Sequence, residues 1–241
     1  GLALTENYLI TGKRKKAAQR ALDYAVRVHQ AGYGGRRSGF GRTARSSTPD
    51  LLTTCLFTLH LRSGNLGKLQ VDEAAFQEIR DFVESMHDEE AHGFRLARGL
   101  KPTVRSTLAG CVTGICLGDL TRSPVPNPRD ARLRAYIPEA VIAATWFVHS
   151  TPRESKKIRD PITCWLATLA ALSVGGDTWR DWFLCYRDSI GAMQVREKGP
   201  GYGSWNPSGD WEGIGRGGTT VLAHLTMGVY TRDLPIYRYF D

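Results

Sequence analysis

The chain has 241 residues, 41% hydrophobic and 23% charged, which suits a protein with a large core and excludes disordered and collagen-like classes. No apolar run reaches the roughly 18–20 residues of a transmembrane helix, so we expect a soluble protein without a membrane span; the compartment stays open. The net charge of +8 comes mostly from scattered arginines and accompanies no nucleic-acid-binding motif, so no specific nucleic-acid role is expected.

The predicted elements are helices that alternate between an amphipathic and a nearly all-apolar type. Residues 13–30 carry apolar side chains every three or four positions, which predicts an amphipathic helix. A glycine-rich loop then leads to a more apolar helix over 49–62. The pair recurs as an amphipathic helix over 71–90 and an apolar segment over 101–120.

The second half of the chain repeats this order. A third amphipathic helix carries Ala135, Ile142, Trp146 and Phe147, and an apolar segment over 162–174 ends at two glycines. A further amphipathic helix over 178–195 precedes a long glycine loop and a last apolar helix over 219–230. Residues 1–12 are predicted to be the end of a preceding apolar helix.

The apolar helices share a threonine near their first turn, and these threonines recur at intervals of 53, 56 and 57 residues. They are Thr54, Thr107, Thr163 and Thr220. A period of this length indicates stacked supersecondary units around one core. The sequence therefore predicts one all-α domain over residues 1–241, an α/α-toroid of αα-hairpins with apolar helices in an inner ring and amphipathic helices in an outer ring.

The last part of the chain carries a family resemblance. The residues that carry it are Gln194, Gly203-Ser204-Trp205, Gly217-Gly218-Thr219-Thr220 and the tail 229–237. They resemble the terminal repeat of bacterial proteins with prenyltransferase and squalene-oxidase repeats, which are α/α-toroids. Arg20, Ala21, Tyr24 and Gln30 follow the repeat signature of squalene cyclases loosely, one position out of register.

The resemblance implies chemistries whose residues can be sought here. Terpenoid cyclases of this type use an Asp-x-Asp-Asp motif, which the chain lacks. In protein prenyltransferases zinc is held by Asp, Cys and His; Cys164 matches the cysteine, but Ile162 and Thr219 stand in the other two places. Asp160, Cys164 and His224 form an alternative zinc set. The Cys-His pair of lanthionine-type cyclases is missing as well, so we expect no metal and no cofactor.

In a toroid of this kind the N-termini of all inner helices lie at the same end of the ring. The loops at this end are predicted to form a basic, aromatic-lined opening, which we call the mouth. Helix N-termini and loop arginines there suit an anion, and loop aromatic rings suit a sugar or an isoprenoid chain. The ligand-binding candidates are Tyr33, Arg42, Arg105, Tyr202, Trp205, Trp211 and Arg216. The alternative is structural, with threonines as helix caps, Gly-aromatic loops as packing plugs and arginines solvated or paired.

Three residues are the catalytic candidates. Asp210 lies in a loop that caps no predicted helix, Asp160 precedes an apolar helix, and His92 precedes a Gly-Phe turn. First-turn dipole complementation is the alternative role for Asp160. The sequence predicts a ligand-binding or interaction domain for an anionic or isoprenoid small molecule, an acidic saccharide or a partner protein. A divergent terpenoid cyclase or transferase, or a carbohydrate-active lyase or hydrolase, is the alternative.

Overall fold

The computed structural model describes most of the chain. The described residues are 1–31, 39–41, 48–118, 128–149, 157–207, 209–231 and 234–240. They are mostly helical, which confirms the all-α prediction. They divide into two compact units, unit 1 with Gly1–Tyr136 and Leu234–Tyr239, and unit 2 with Ile137–Asp233 and Phe240–Asp241. The single toroid stays a prediction.

Nine α-helices occur in these ranges. They are α1 (Leu2–Thr11), α2 (Lys15–Ala31), α3 (Leu51–Leu66), α4 (Glu73–Met86), α5 (Val104–Cys116), α6 (Pro128–His149), α7 (Pro161–Val174), α8 (Gly176–Ala192) and α9 (Gly215–Thr231). Strands β1 (His87–Asp88) and β2 (Gly93–Phe94) pair antiparallel, and β3 (Lys157–Ile158) and β4 (Asn206–Pro207) pair parallel. Two 3-10 helices cover Gly209–Ile214 and Pro235–Phe240. Within the described ranges, no helix combines the length and the apolar character that crossing a bilayer requires.

Several helix boundaries differ from the prediction, among them the end of α3 at Leu66 instead of residue 62 and the end of α5 at Cys116 instead of residue 120. Helix α4 ends at Met86 instead of residue 90, because His87 takes an extended backbone and begins the β1–β2 hairpin. The hairpin turn includes His92 at a φ of 48°. Helix α9 begins at Gly215, one turn before Thr219, and the Gly209–Ile214 3-10 helix leads directly into it.

Burial follows the predicted alternation of helix types for α5 and α7, but not for α9, which leaves Val221 and Tyr230 more than half exposed. Every residue of α5 from Ser106 to Cys116 is buried, as is every residue of α7 from Pro161 to Ala171. Helices α2, α4 and α8 bury only one face each. In unit 1, α5 packs mainly against α3; in unit 2, α7 packs against α8 and α9. The all-apolar helices therefore form the centre of each unit's core.

Four helix starts are capped by side chains. Asp50 accepts the N–H of Thr53 at 2.9 Å, and Asp72 caps α4 in the same manner. Thr103 and Ser106 form a reciprocal capping box at the start of α5. Asp160 caps α7, which begins with Pro161. Each cap supplies an acceptor to a backbone N–H that has no partner inside its own helix.

The C-terminal end of α5 receives two arginines from neighbouring helices. The guanidinium of Arg62 donates to the carbonyl oxygen of Cys116, and Arg80 Nη2 donates to that of Leu117 at 2.7 Å. Arg62 also lies 4.1 Å from the centroid of the Phe76 ring. Because the last carbonyls of a helix carry partial negative charge, these cations stabilise the end of α5.

A buried carboxyl anchors the C-terminal 3-10 helix within unit 1. Glu6 is 3% exposed, and it accepts hydrogen bonds from the hydroxyl of Ser63 and from the backbone N–H of Ile236. Burial raises the pKa of Glu6, and the two hydrogen bonds oppose this rise.

Candidate functional site

Three loops place the backbone N–H of an aromatic residue on a threonine of the following helix. The bonds run from Phe40 N to Thr54 Oγ1 (2.8 Å), from Phe94 N to Thr107 Oγ1 (3.2 Å) and from Trp205 N to Thr220 Oγ1 (3.1 Å). All three aromatic side chains are buried. These threonines therefore hold the preceding loop, whereas the helix caps are supplied by other residues. We refer to this arrangement as the aromatic–threonine clasp.

The second clasp shows why the sequence has glycine beside its aromatic residue. A Cβ on Gly93 would lie 2.6 Å from Thr107 Oγ1, and a Cβ on Gly110 would lie 2.4 Å from the Phe94 ring. The loop and α5 approach so closely that neither position has space for a larger residue. The Gly-Phe pair is thus part of the packing of unit 1.

Trp205 lies in the core of unit 2. Its side chain is 1% exposed, its Nε1 donates to the carbonyl oxygen of Ile190 at 2.7 Å, and its ring meets the edge of His224 at 5.3 Å. Packing, one of the two roles that the sequence left open, accounts for all these contacts. No face of the indole is available for stacking on a ligand.

The catalytic candidates Asp160 and His92 lie in different units. Asp160 is 1% exposed, and both carboxyl oxygens accept from Thr163, at 3.1 Å from its N–H and 2.6 Å from its hydroxyl. This geometry is that of a helix cap. His92 is exposed in the hairpin turn of unit 1, with its ring edge-on to Tyr136 at 6.0 Å.

The remaining described candidates belong to both units. Arg105 is partly buried in the first turn of α5 in unit 1, whereas Tyr202 is 67% exposed in unit 2. Arg216 Nε donates to Asn206 Oδ1 at 2.8 Å, also in unit 2. Tyr33 and Arg42 lie outside the described residues, and so do the side chains of Asp210 and Trp211, whose backbone forms part of the Gly209–Ile214 3-10 helix.

The alternative zinc set is not assembled as a group. Asp160 is occupied as a cap, His224 faces Trp205, and burial strongly raises the pKa of the Cys164 thiol, against the thiolate that zinc requires. Among the described residues, no three His, Cys, Asp or Glu side chains converge as metal ligands.

Unit 1 contains a cavity of about 490 Å³ bounded by α1, α2 and α3. Its wall consists of Gly1, Leu2, Ala21, Tyr24, Ala25, Leu56, Phe57 and His60. Ala21 and Ala25 are one helical turn apart on α2, so their small side chains leave space facing α3. Tyr24 is 58% exposed and Leu56 is 37% exposed, so the wall continues to the surface. The cavity is accordingly open and mainly apolar.

Among the described residues of this wall, the titratable side chains are those of His60 and Tyr24. His60 is 4% exposed, and its Nε2 has no hydrogen-bond partner among the described residues. Burial, assisted by the positive charge of the amino terminus, lowers its pKa to about 4. At neutral pH the imidazole is therefore uncharged, and the interior wall carries no charged side chain.

A second group in unit 1 combines acid–base side chains. His87 Nε2 lies 2.9 Å from the hydroxyl of Tyr136, and the His87 ring also contacts Phe94. Burial and the nearby Arg132 lower the pKa of His87, while burial raises that of Tyr136. Arg95 Nη2 binds Asp88 next to His87 at 2.6 Å. A hydrogen-bonded imidazole and phenol are suited to exchange a proton.

Sequence reasoning missed both groups, although one signal for the cavity was present. None of the predicted site residues lines the cavity, but Ala21 and Tyr24 belong to the loosely matched repeat signature and do line it. Because His87 and Tyr136 are 49 positions apart in the sequence, no local sequence pattern indicates their contact. No protein-family model, curated protein or solved structure matches this chain.

Proposed function

We propose that the protein is a ligand-binding module of the prenyltransferase and squalene-cyclase-like α/α-toroid type, and that the cavity of unit 1 holds a neutral isoprenoid chain. The observation that carries this proposal is the open, mainly apolar cavity of about 490 Å³. Ligand pockets typically occupy about 300–1,000 Å³ and have apolar walls with few polar groups. The toroid itself is supported by the alternation of buried and amphipathic helices and by the recurring clasp.

The charge of the wall favours a neutral ligand over the anionic one that the sequence suggested. None of the described arginines lines the cavity, and His60 is uncharged at neutral pH. Of the arginines assigned to the basic mouth, Arg216 donates to Asn206 Oδ1. An anion in the cavity would lose its hydration without gaining an oppositely charged side chain among the described residues of the wall.

We expect Leu56→Asp to weaken binding of farnesol, a neutral isoprenoid alcohol, by at least about tenfold, or 1.4 kcal/mol. The new carboxylate would need its hydration, which an apolar ligand displaces. Titration calorimetry on the folded protein measures the affinity. Leu100→Asp is the matched control, because Leu100 is 51% exposed in the same unit and does not line the cavity.

Equal affinities of the two aspartate variants would show that farnesol binds elsewhere. If the unaltered protein does not bind farnesol, the proposed function is contradicted. Tighter binding of farnesyl diphosphate than of farnesol would instead support the anionic ligand that the sequence suggested.

A second candidate function is favoured by the His87–Tyr136 contact, an acid–base enzyme acting on an acidic polysaccharide. Eliminative cleavage of a uronic acid chain requires a base and an acid near one sugar, roles that an imidazole and a phenol can share. We expect unsaturated sugar product, detected by its ultraviolet absorbance, to appear with the unaltered protein. Loss of more than about 99% of this activity in Tyr136→Phe would follow from removal of one acid–base group. No product with any uronic acid polymer tested would exclude this candidate.

A further inference from the structure

The thiol of Cys185 and the imidazole of His149 form a contact in unit 2. Sγ lies 3.2 Å from Nε2, a hydrogen-bond distance for sulfur. His149 is the last residue of α6 and is exposed, and Cys185 lies on α8. The chain has four other cysteines, and all four are buried. Cys185 is therefore the cysteine that a reagent in solution reaches first.

A base next to Cys185 would increase the reactivity of its thiol. Partial burial raises the pKa of this thiol, so little thiolate forms spontaneously at neutral pH. Thiolates of higher pKa are, however, stronger nucleophiles once formed. The imidazole of His149, whose Nε2 lies 3.2 Å from Sγ, can accept the thiol proton as sulfur attacks, so the reaction does not depend on thiolate formed beforehand.

We propose that Cys185 and His149 form a reactive pair that is modified by low-molecular-weight disulfides. Cys185 Sγ attacks one sulfur of the disulfide, and a new S–S bond forms as the bond in the reagent breaks. The proton of the Cys185 thiol passes to His149 Nε2 and then to the departing thiolate. One thiol is released for each mixed disulfide formed, so atoms and electrons balance without a further oxidant. This modification is separate from the cavity of unit 1.

Oxidised glutathione is the probe, with the folded protein followed by intact mass and peptide mapping. We expect one glutathione per chain, on Cys185, and none in Cys185→Ser. At pH 7 we expect His149→Gln to slow the modification by at least about tenfold, because general-base assistance is typically worth more than that. Cys164→Ser and His224→Gln are the controls from the same unit, and both should react at the unaltered rate.

The pH profile separates proton transfer from a structural effect. Without His149, the rate should rise about tenfold per pH unit from pH 6 to 8, following the thiolate fraction. With His149 present, the rise should be shallower over the same range. Parallel profiles, an unchanged rate in His149→Gln, or modification spread over the buried cysteines would each overturn the proposal. His149→Asn serves in place of the Gln variant if circular dichroism shows that the latter is unfolded.

Discussion

His60 is an imidazole that folding keeps uncharged. The group titrates near pH 6.5 when exposed to water and near pH 4 in the folded protein. Between these values the unfolded chain binds more protons than the folded one. The stability contributed by the neutral ring is therefore fully present above pH 6.5 and is lost as the pH falls toward 4. The shift corresponds to at most about 3 kcal/mol.

We expect His60→Leu to remove this acid sensitivity. The free energy of unfolding of the leucine variant, minus that of the unaltered protein, should grow by up to about 3 kcal/mol as the pH falls from 7 to 4. Urea denaturation at several pH values measures this difference. A difference that stays constant over the range would mean that the folded imidazole takes its proton as readily as an exposed one.

At the scale of the elements, the aromatic–threonine clasp is the recurring unit. In the first clasp, Thr54 Oγ1 accepts the N–H of Phe40 and donates to the carbonyl oxygen of Asp50 at 2.9 Å. Asp50 N in turn donates to the carbonyl oxygen of Phe40 at 3.0 Å. A loop residue and a helix start are thus held together by a closed set of hydrogen bonds, buried from water.

We expect Thr54→Val to destabilise the protein by about 1–3 kcal/mol, because it leaves the buried N–H of Phe40 without an acceptor. Thr54→Ser keeps the oxygen and should cost less. Thr58→Val is the matched control, since the Thr58 hydroxyl only donates to the carbonyl oxygen of Thr54 one turn earlier on α3. Urea midpoints compare the three variants. Equal losses in the two valine variants would show that the clasp bond contributes no more than an ordinary hydroxyl.

At the scale of the whole molecule, several of the described arginines bind carbonyl oxygens, carboxylates or aromatic rings of the chain itself. Helix α5 uses two of them at its C-terminal end, and Glu84 receives both Arg129 and Arg132, at 3.1 and 3.0 Å. On α8, Arg187 binds Asp188 and also lies over the Phe183 ring. These arginines contribute to the net charge of +8, and their positions are explained by the helix ends, carboxylates and aromatic rings that they bind.

The sequence alone determined most of the helical architecture. Helical periodicity is a local property, so the amphipathic helices and the fully buried α5 and α7 were readable from residues a few positions apart. Three of the four recurring threonines take part in a clasp, whereas Thr163 donates to the capping carboxylate of Asp160. The end of α4 was misplaced because the hairpin that begins at His87 replaces the last predicted turn, and the start of α9 was predicted one turn too late, inside its glycine-rich first turn.

Only the tertiary structure decided which side chains meet. The cavity needs residues from α1, α2 and α3, and the Cys185–His149 contact joins positions 36 apart. Composition and spacing also suggested sites at Trp205 and Asp160, which the fold uses as a core ring and a helix cap. The physical reason is that burial and hydrogen-bond partners depend on packing between distant segments, and a local pattern carries no record of that packing.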